Sequence, residues 1–241
     1  MDGKYLLNFY KMRSFVDVKK ISLNNLFLNK NSINYLNKID KYKIDWFLLS
    51  KNKNAIKLLA KNQNKIDWEM LSLNSNAIEL LTKNTYLINW HSLSLNKNAI
   101  ELLKANQYKI YWNYLSGNPN AIELLTANPD KINWFMLSSN SGAIDLLEKN
   151  KYKIDWNQLS KNKNAIALLT KNKKKIHWDS LSLNKNAIKV LFQNRDKINW
   201  VMLSENKNAI KLLKENKDKI DWNNISKNSS IFYKRKYSVF I

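Results

Sequence analysis

The chain has no cysteine, two prolines, three glycines and two histidines among 241 residues. Without cysteine there is neither a disulfide framework nor a thiolate metal site, which suits a reducing compartment. So few glycines argue against a phosphate-cradling loop, and neither a Walker-type glycine motif, a G-x-S-x-G elbow nor an H-E-x-x-H helix occurs. His91 and His177 have no Cys, Asp or Glu at ligand spacing, so neither a metal nor any other cofactor is expected. An enzyme would need its acid and base to break the regular pattern described below, and the breaks are terminal or isolated. No apolar run approaches the ~18 residues that span a bilayer, and the opening MDGKYLLNFYKMRSF lacks the apolar stretch of a signal peptide. The expectation is a non-enzymatic intracellular protein with no membrane insertion and no small-molecule substrate.

Arginine and acid are scarce as well. Forty-one Lys and Arg stand against 19 Asp and Glu, a formal charge of +22, and only Arg13, Arg195 and Arg235 are arginines. Such a balance attracts polyanions: nucleic acid, an anionic surface or an acidic protein. Lysine acts as a point charge, without the bidentate fork with which arginine reads phosphate and guanine.

What the chain has in abundance is repetition. Trp46, Trp68, Trp90, Trp112, Trp134, Trp156, Trp178, Trp200 and Trp222 follow one another at intervals of 22 residues (68 − 46, for example), and they are all nine Trp. The unit reads K-I-[DN]-W-x-x-L-S-x-N-x-N-A-I-x-L-L-x-x-N-x-x. In the copy starting at Lys43, Asp45 is an N-cap and Trp46 opens a short helix. Ile44 and Leu49 have the spacing of a hydrophobic staple. Asn52 is expected to end that helix in the left-handed conformation. Asn54 is expected to cap a second helix over 55–61, and Asn62 to stop it the same way. Ala55, Ile56, Leu58 and Leu59 supply one apolar face. Helices this short fall well below the ~12 residues at which isolated helices become marginal, so stacking must bury their faces.

These features predict an all-α solenoid of nine to ten helix-turn-helix repeats, stacked right-handedly. The rival is a leucine-rich-repeat β/α solenoid, because LSLNSNAI at 71–78 matches that strand signature. Its second leucine must be buried in every copy. Here the position reads Lys51, Leu73, Leu95, Gly117, Ser139, Lys161, Leu183, Glu205 and Lys227, so helices are preferred. Residues 1–20 are expected to cap the array, 21–228 to form one repeat domain (a degenerate copy over 21–42, regular copies over 43–228), and 229–241 to close it as a basic tail.

The phrase KIDWxxLSxNxNAIxLLxxN, the stretch NPNAIELLTANPDKINW at 118–134, the lead-in YKMRSFVDVKKIS and the exit SKNSSIF resemble uncharacterised tandem-repeat proteins of large DNA viruses. The likeness covers nearly the whole chain. Leu23 in place of a first Trp and the short basic ending depart from it. The resemblance implies a viral origin and a repeat architecture, with the infected cell's cytoplasm or the virion as setting, and no activity or site residues.

Three series are candidates for function. The Trp residues could be a stacking ladder for bases, but a buried spine is preferred, since Trp shares a face with the Leu three residues on. The pairs after each Trp vary while their neighbours hardly do: Phe47-Leu48, Glu69-Met70, His91-Ser92, Asn113-Tyr114, Phe135-Met136, Asn157-Gln158, Asp179-Ser180 and Val201-Met202, ending in Asn223-Asn224. They are the candidate partner-binding row. Their large apolar members favour a protein partner, while one pair per repeat also resembles the readout of helical RNA-binding arrays. Lys43, Lys65, Lys109, Lys131, Lys153, Lys175, Lys197 and Lys219, interrupted by Leu87, are the candidate polyanion-binding series. At ~8 to 10 Å per helix layer they make a stripe about 70 to 80 Å long. Glu79, Glu101, Glu123 and Asp145 form an acidic band that would neutralise the stripe if both shared a face. The recurrent Asn residues are read as helix caps. The functional expectation is a scaffold for a protein partner; nucleic-acid binding through lysine is the alternative, and a structural virion component the second.

Overall fold

A computed structural model describes residues 27–29, 32, 36, 41–228 and 230. The expected caps at 1–20 and 229–241 and most of the degenerate copy therefore lie outside the described residues. The chain divides into two compact units, Met1–Asn120 and Ala121–Ile241. The boundary falls inside a copy, between its two helices.

Both units are all-α repeats of one design, and no strand occurs among the described residues. The first unit runs α1 (Trp46–Lys51), α2 (Ile56–Ala60), α3 (Trp68–Leu73), α4 (Ile78–Thr82), α5 (Trp90–Leu95), α6 (Ile100–Lys104) and α7 (Trp112–Leu115). The second runs α8 (Ile122–Thr126), α9 (Trp134–Ser139), α10 (Ile144–Lys149), α11 (Trp156–Lys161), α12 (Ile166–Lys171), α13 (Trp178–Leu183), α14 (Ile188–Gln193), α15 (Trp200–Glu205), α16 (Ile210–Glu215) and α17 (Trp222–Ile225). A single 3-10 turn, such as Gln63–Lys65, joins each Ile helix to the following Trp helix. Successive Trp helices pack directly on one another within each unit: α1, α3, α5 and α7 in the first, α9, α11, α13, α15 and α17 in the second.

Local chemistry explains the boundaries. Asp45 accepts the Leu48 N–H at 2.9 Å, and Asp67, Asn89, Asn133, Asp155, Asn199 and Asp221 cap their helices in the same way. His177 caps through Nδ1 at 3.4 Å. Among the described Trp helices, Tyr111 alone leaves its helix, α7, without a side-chain cap. The core repeats as faithfully. Ile44, Leu49, Ala55 and Leu59, with their counterparts in each full copy through Ile198 and Leu213, are buried. The predicted staple pair, Ile44 and Leu49, is inside.

Three expectations are corrected. No described non-glycine residue has positive φ. Asn52 ends α1 in extended conformation at φ −76°, ψ 114°, and Asn62 sits at φ −134°, ψ 48°. Asn62 still satisfies the helix end, through its side chain: Nδ2 donates to the Leu58 carbonyl at 2.9 Å. The second helix begins after Ala55, which makes no side-chain cap bond, so Asn54 is not its cap.

The Asn residues serve the stack instead. Asn74 Nδ2 donates to the carbonyls of Ser50 and Asn52, one copy earlier, at 3.0 and 3.1 Å, and Oδ1 accepts the Asn76 N–H. Asn96, Asn118, Asn162, Asn184, Asn206 and Asn228 repeat this arrangement inside their units. A second, exposed rail runs beside it, with Asn76 Nδ2 donating to the Lys53 carbonyl at 3.0 Å. Each buried amide thus reaches a last-turn helix carbonyl such as that of Ser50, and gives a second donor to one such as that of Asn52, which also accepts the Ala55 N–H. No described buried side-chain polar atom lacks a partner.

Candidate interaction surface

The largest correction concerns tryptophan. Trp46, Trp68, Trp90, Trp112, Trp134, Trp156, Trp178 and Trp200 are half-buried, and Trp222 is 72% exposed. The leucine three residues on fills the core, leaving one side of the indole near the surface. A lysine from the following copy then lies over the ring: Lys109 Nζ is 4.7 Å from the Trp90 centroid, Lys153 4.6 Å from Trp134, Lys175 5.6 Å from Trp156 and Lys219 4.9 Å from Trp200. Such cation–π contacts are worth ~0.5 to 1 kcal/mol at exposed sites. Half of the candidate polyanion series is thus laid over the Trp series. Lys43, Lys65, Lys131, Lys153, Lys175, Lys197 and Lys219 are exposed and Lys109 half-buried.

Two members of the acidic band pair with lysines outside the candidate series. Glu79 pairs with Lys83 at 2.6 Å and Glu101 with Lys104 at 3.3 Å, both partners coming from the acid's own helix or its end rather than from the lysine series. The hydrogen bond and charge of Lys83 hold the Glu79 carboxyl below its ordinary range. The last two equivalent positions, Lys189 and Lys211, line a groove between Ile helices with Phe192 and Leu212. Lys65 lines a different groove, with Tyr42, Ile44 and Trp46.

The pairs after Trp divide in two. Phe47, Glu69, His91, Asn113, Phe135, Asn157, Asp179 and Val201, with Asn223, are all exposed. Of the second members, Leu48, Met70, Tyr114, Met136 and Gln158 are half-buried, Ser92 and Ser180 are buried, and Met202 is exposed. Successive copies touch here. The His91 ring lies 3.9 Å from that of Tyr114, and Ser180 Oγ donates to Asn157 Oδ1. Part of the variation is therefore mutual fitting between neighbours. Polar copies separate the apolar ones: Asn157-Gln158 and Asp179-Ser180 lie between Phe135-Met136 and Val201-Met202.

One structural device was missed from sequence. Ser50 Oγ donates to the Trp46 carbonyl at 2.7 Å and accepts the Asp67 N–H of the next copy at 3.1 Å. Ser72, Ser138, Ser160 and Ser204 repeat both bonds. Its signal was available: a serine follows Leu or Ile at this position in all nine copies, and no turn demands that.

No helix among the described residues is long and apolar enough to cross a membrane. Nor do those residues hold a group of three or more His, Cys, Asp or Glu that could bind a metal ion. Residues 75–239, more than half of the chain, match the family model described as Periplasmic copper-binding protein (NosD), a β-helix family. No curated protein and no solved structure matches.

Proposed function

We propose that this chain, which belongs to the family described as periplasmic copper-binding protein (NosD), is a non-enzymatic repeat scaffold that binds a polyanion, single-stranded nucleic acid, along its Trp–Lys surface. The carrying observation is the lysine laid over a half-buried Trp, repeated at Trp90, Trp134, Trp156 and Trp200. Regular cations for phosphates beside aromatic rings for bases are the elements of sequence-tolerant strand binding. Lys131 and Lys197 are paired with the neighbouring Asp130 and Asp196, but the net charge of +22 keeps cations well in excess along the chain.

The metal in the family's description does not fit the described residues. Copper sites draw on imidazole, thiolate or thioether donors. His91 and His177 stand in different units, there is no Cys, and Met70, Met136 and Met202 are each three copies apart. No step is assigned to copper. The viral, intracellular setting implied by the repeat's resemblance is proposed over the periplasmic one, and imaging of a tagged chain in infected cells decides between them.

The test is binding of single- and double-stranded DNA and RNA to the full chain at ~50 and ~200 mM salt, where each phosphate contact on a single strand contributes about −0.7 to the log–log slope. Lys153→Gln with Lys175→Gln is expected to flatten that slope. Absence of salt-sensitive binding at the lower concentration overturns the proposal. The second reading, a protein partner on the variable row, is supported by the exposure of Phe47, Phe135 and Val201. Binding that needs Phe135 and is indifferent to salt would favour it.

A further inference from the structure

In the first unit the repeat pattern fails at neighbouring places. Tyr111 replaces the Asp or Asn that caps most other Trp helices, and α7 starts without a side-chain cap. Leu87 replaces the series lysine one copy earlier. Breaks in local rules without compensation within the fold tend to gather at functional sites. These two positions flank a surface groove of about 770 Å³, lined among others by Tyr86, Trp90, His91, Tyr108, Lys109 and Tyr111. That size lies within the ~300 to 1,000 Å³ of small-ligand sites.

The groove's chemistry is specific. Tyr86 and Tyr108, the same repeat position in successive copies, are 81% and 84% exposed, and Tyr111 is 52% exposed. His91 stacks on Tyr111, with centroids 5.4 Å apart and planes at 24°, and that contact holds the Tyr111 ring in the wall. Lys109 Nζ stands 4.7 Å from the Trp90 ring and 5.4 Å from the Tyr108 ring. No carboxylate lines the groove. An aromatic cage for a cation needs open ring faces and gains from nearby acid, but here the protein's own ammonium occupies that place. A flat, electron-rich ring carrying negative charge meets both features.

We infer that this groove is a nucleotide site, in which a base stacks on Tyr86, Tyr108 or Tyr111 and its phosphate meets Lys109. The phosphate contact rests on the polyanion reading; the stacking does not. The ligand chemistry, a base with its phosphate, is shared by free nucleotides and by strands.

The test uses the full chain and four probes: single-stranded DNA and RNA of about twelve nucleotides, within the length that such surfaces span, an abasic DNA of equal length, and AMP. Stacking on aromatic side chains is worth roughly 5- to 150-fold in affinity per base. The base-bearing strands are expected to bind at least that lower factor more tightly than the abasic one. Tyr86→Ser with Tyr108→Ser and Tyr111→Asn is expected to reduce the difference by at least that lower factor while leaving abasic binding and the helical circular dichroism unchanged. Tyr111→Asn restores the cap found in the other copies, so loss of fold does not confound it.

Equal binding of base-bearing and abasic strands overturns the site and leaves the polyanion reading standing. A base preference undiminished in the variant overturns it too, by placing the stacking elsewhere. No binding of any probe overturns both. AMP binding that the variant loses supports the site with a free nucleotide as occupant, whereas variant-sensitive preference for strands without AMP binding supports it with a strand.

Discussion

The Asn96 side-chain amide donates to the main-chain carbonyl of Asn74, its own counterpart one copy earlier, at 3.1 Å. The same nitrogen reaches the Ser72 carbonyl at 2.9 Å, and Oδ1 accepts the Asn98 N–H. Asn96 is therefore both a joint between copies and the hinge of its own turn. Asn96→Ala removes the donor to the Ser72 carbonyl and one of two donors to the Asn74 carbonyl, which keeps the Ala77 N–H, and is expected to cost roughly 1 to 3 kcal/mol. Asn96→Asp should be no better, since a carboxylate cannot donate to either carbonyl. Asn98→Ala, which loses only an exposed bond to the Ser75 carbonyl, should cost no more than about 1 kcal/mol. Urea midpoints for the three variants check the order. Equal effects from Asn96 and Asn98 would remove the ladder as a source of stability.

The serine bridge makes a separate prediction. Ser72 Oγ donates to Trp68 and accepts from Asn89. Ser72→Ala strands the N–H of half-buried Asn89 in the next copy and is expected to cost about 1 to 2 kcal/mol. Hydrogen exchange gives the discriminating readout. The Asn89 amide should lose protection in Ser72→Ala beyond what global destabilisation explains, while the Asp67 amide, bonded to Ser50, should not.

The period, the Asp45-type caps and the Ile44, Leu49, Ala55 and Leu59 core were legible in sequence because each follows from a local rule. The Trp and Asn52 positions were misread, and Ser50 was passed over, because their roles involve a neighbouring copy. A residue that never varies among copies fits a buried spine, a cap or an inter-repeat bond equally well. For Trp, the deciding atom is the lysine that the next copy brings over its ring, as Lys153 does over Trp134. For Asn52, capping and cross-repeat donation call for the same amide. The groove at Tyr86 and Tyr108 was invisible for a different reason: its walls come from two 3-10 turns whose pairing only the stack supplies.

That revision reorders the expected costs of truncating the core. Leu137 is fully buried, so Leu137→Ala should cost about 2 to 5 kcal/mol. Trp134 is half-buried, and Trp134→Ala should fall near the low end of the ~3 to 5 kcal/mol typical of large aromatic truncations, or below it. Trp222→Ala removes an exposed ring and should lie within ~0.5 kcal/mol of the parent. Denaturation midpoints in the order Leu137, Trp134, Trp222 fit this account. A Trp134 loss exceeding that of Leu137 would return tryptophan to the core.

Tyr111→Asn is expected to stabilise the chain by about 1 kcal/mol, because it restores a cap that α7 lacks. Few substitutions at an aromatic position are expected to stabilise, so the sign alone is informative. A thermal melt of the single variant measures it. Destabilisation would mean that the stacking of Tyr111 on His91 contributes more than a cap does, and the exchange of stability for a binding surface would lose its support.

Family membership and structure make opposed predictions about metal and about secondary structure. The described helices predict far-ultraviolet circular dichroism with the double minimum of an α-protein, where a β-helix gives a single one. The donor set predicts no stoichiometric binding of Cu(II) or Cu(I), because no group of three His, Cys, Asp or Glu exists among the described residues. What the chain shares with stacked β architectures is an amide ladder: inward Asn side chains at a fixed period, each bonded to the turn before it, as Asn184 is to Ser160 and Asn162 at 2.9 and 3.0 Å. Tight copper binding that His91→Ala or His177→Ala abolishes would reverse the metal argument, and a β-type spectrum would reverse the fold.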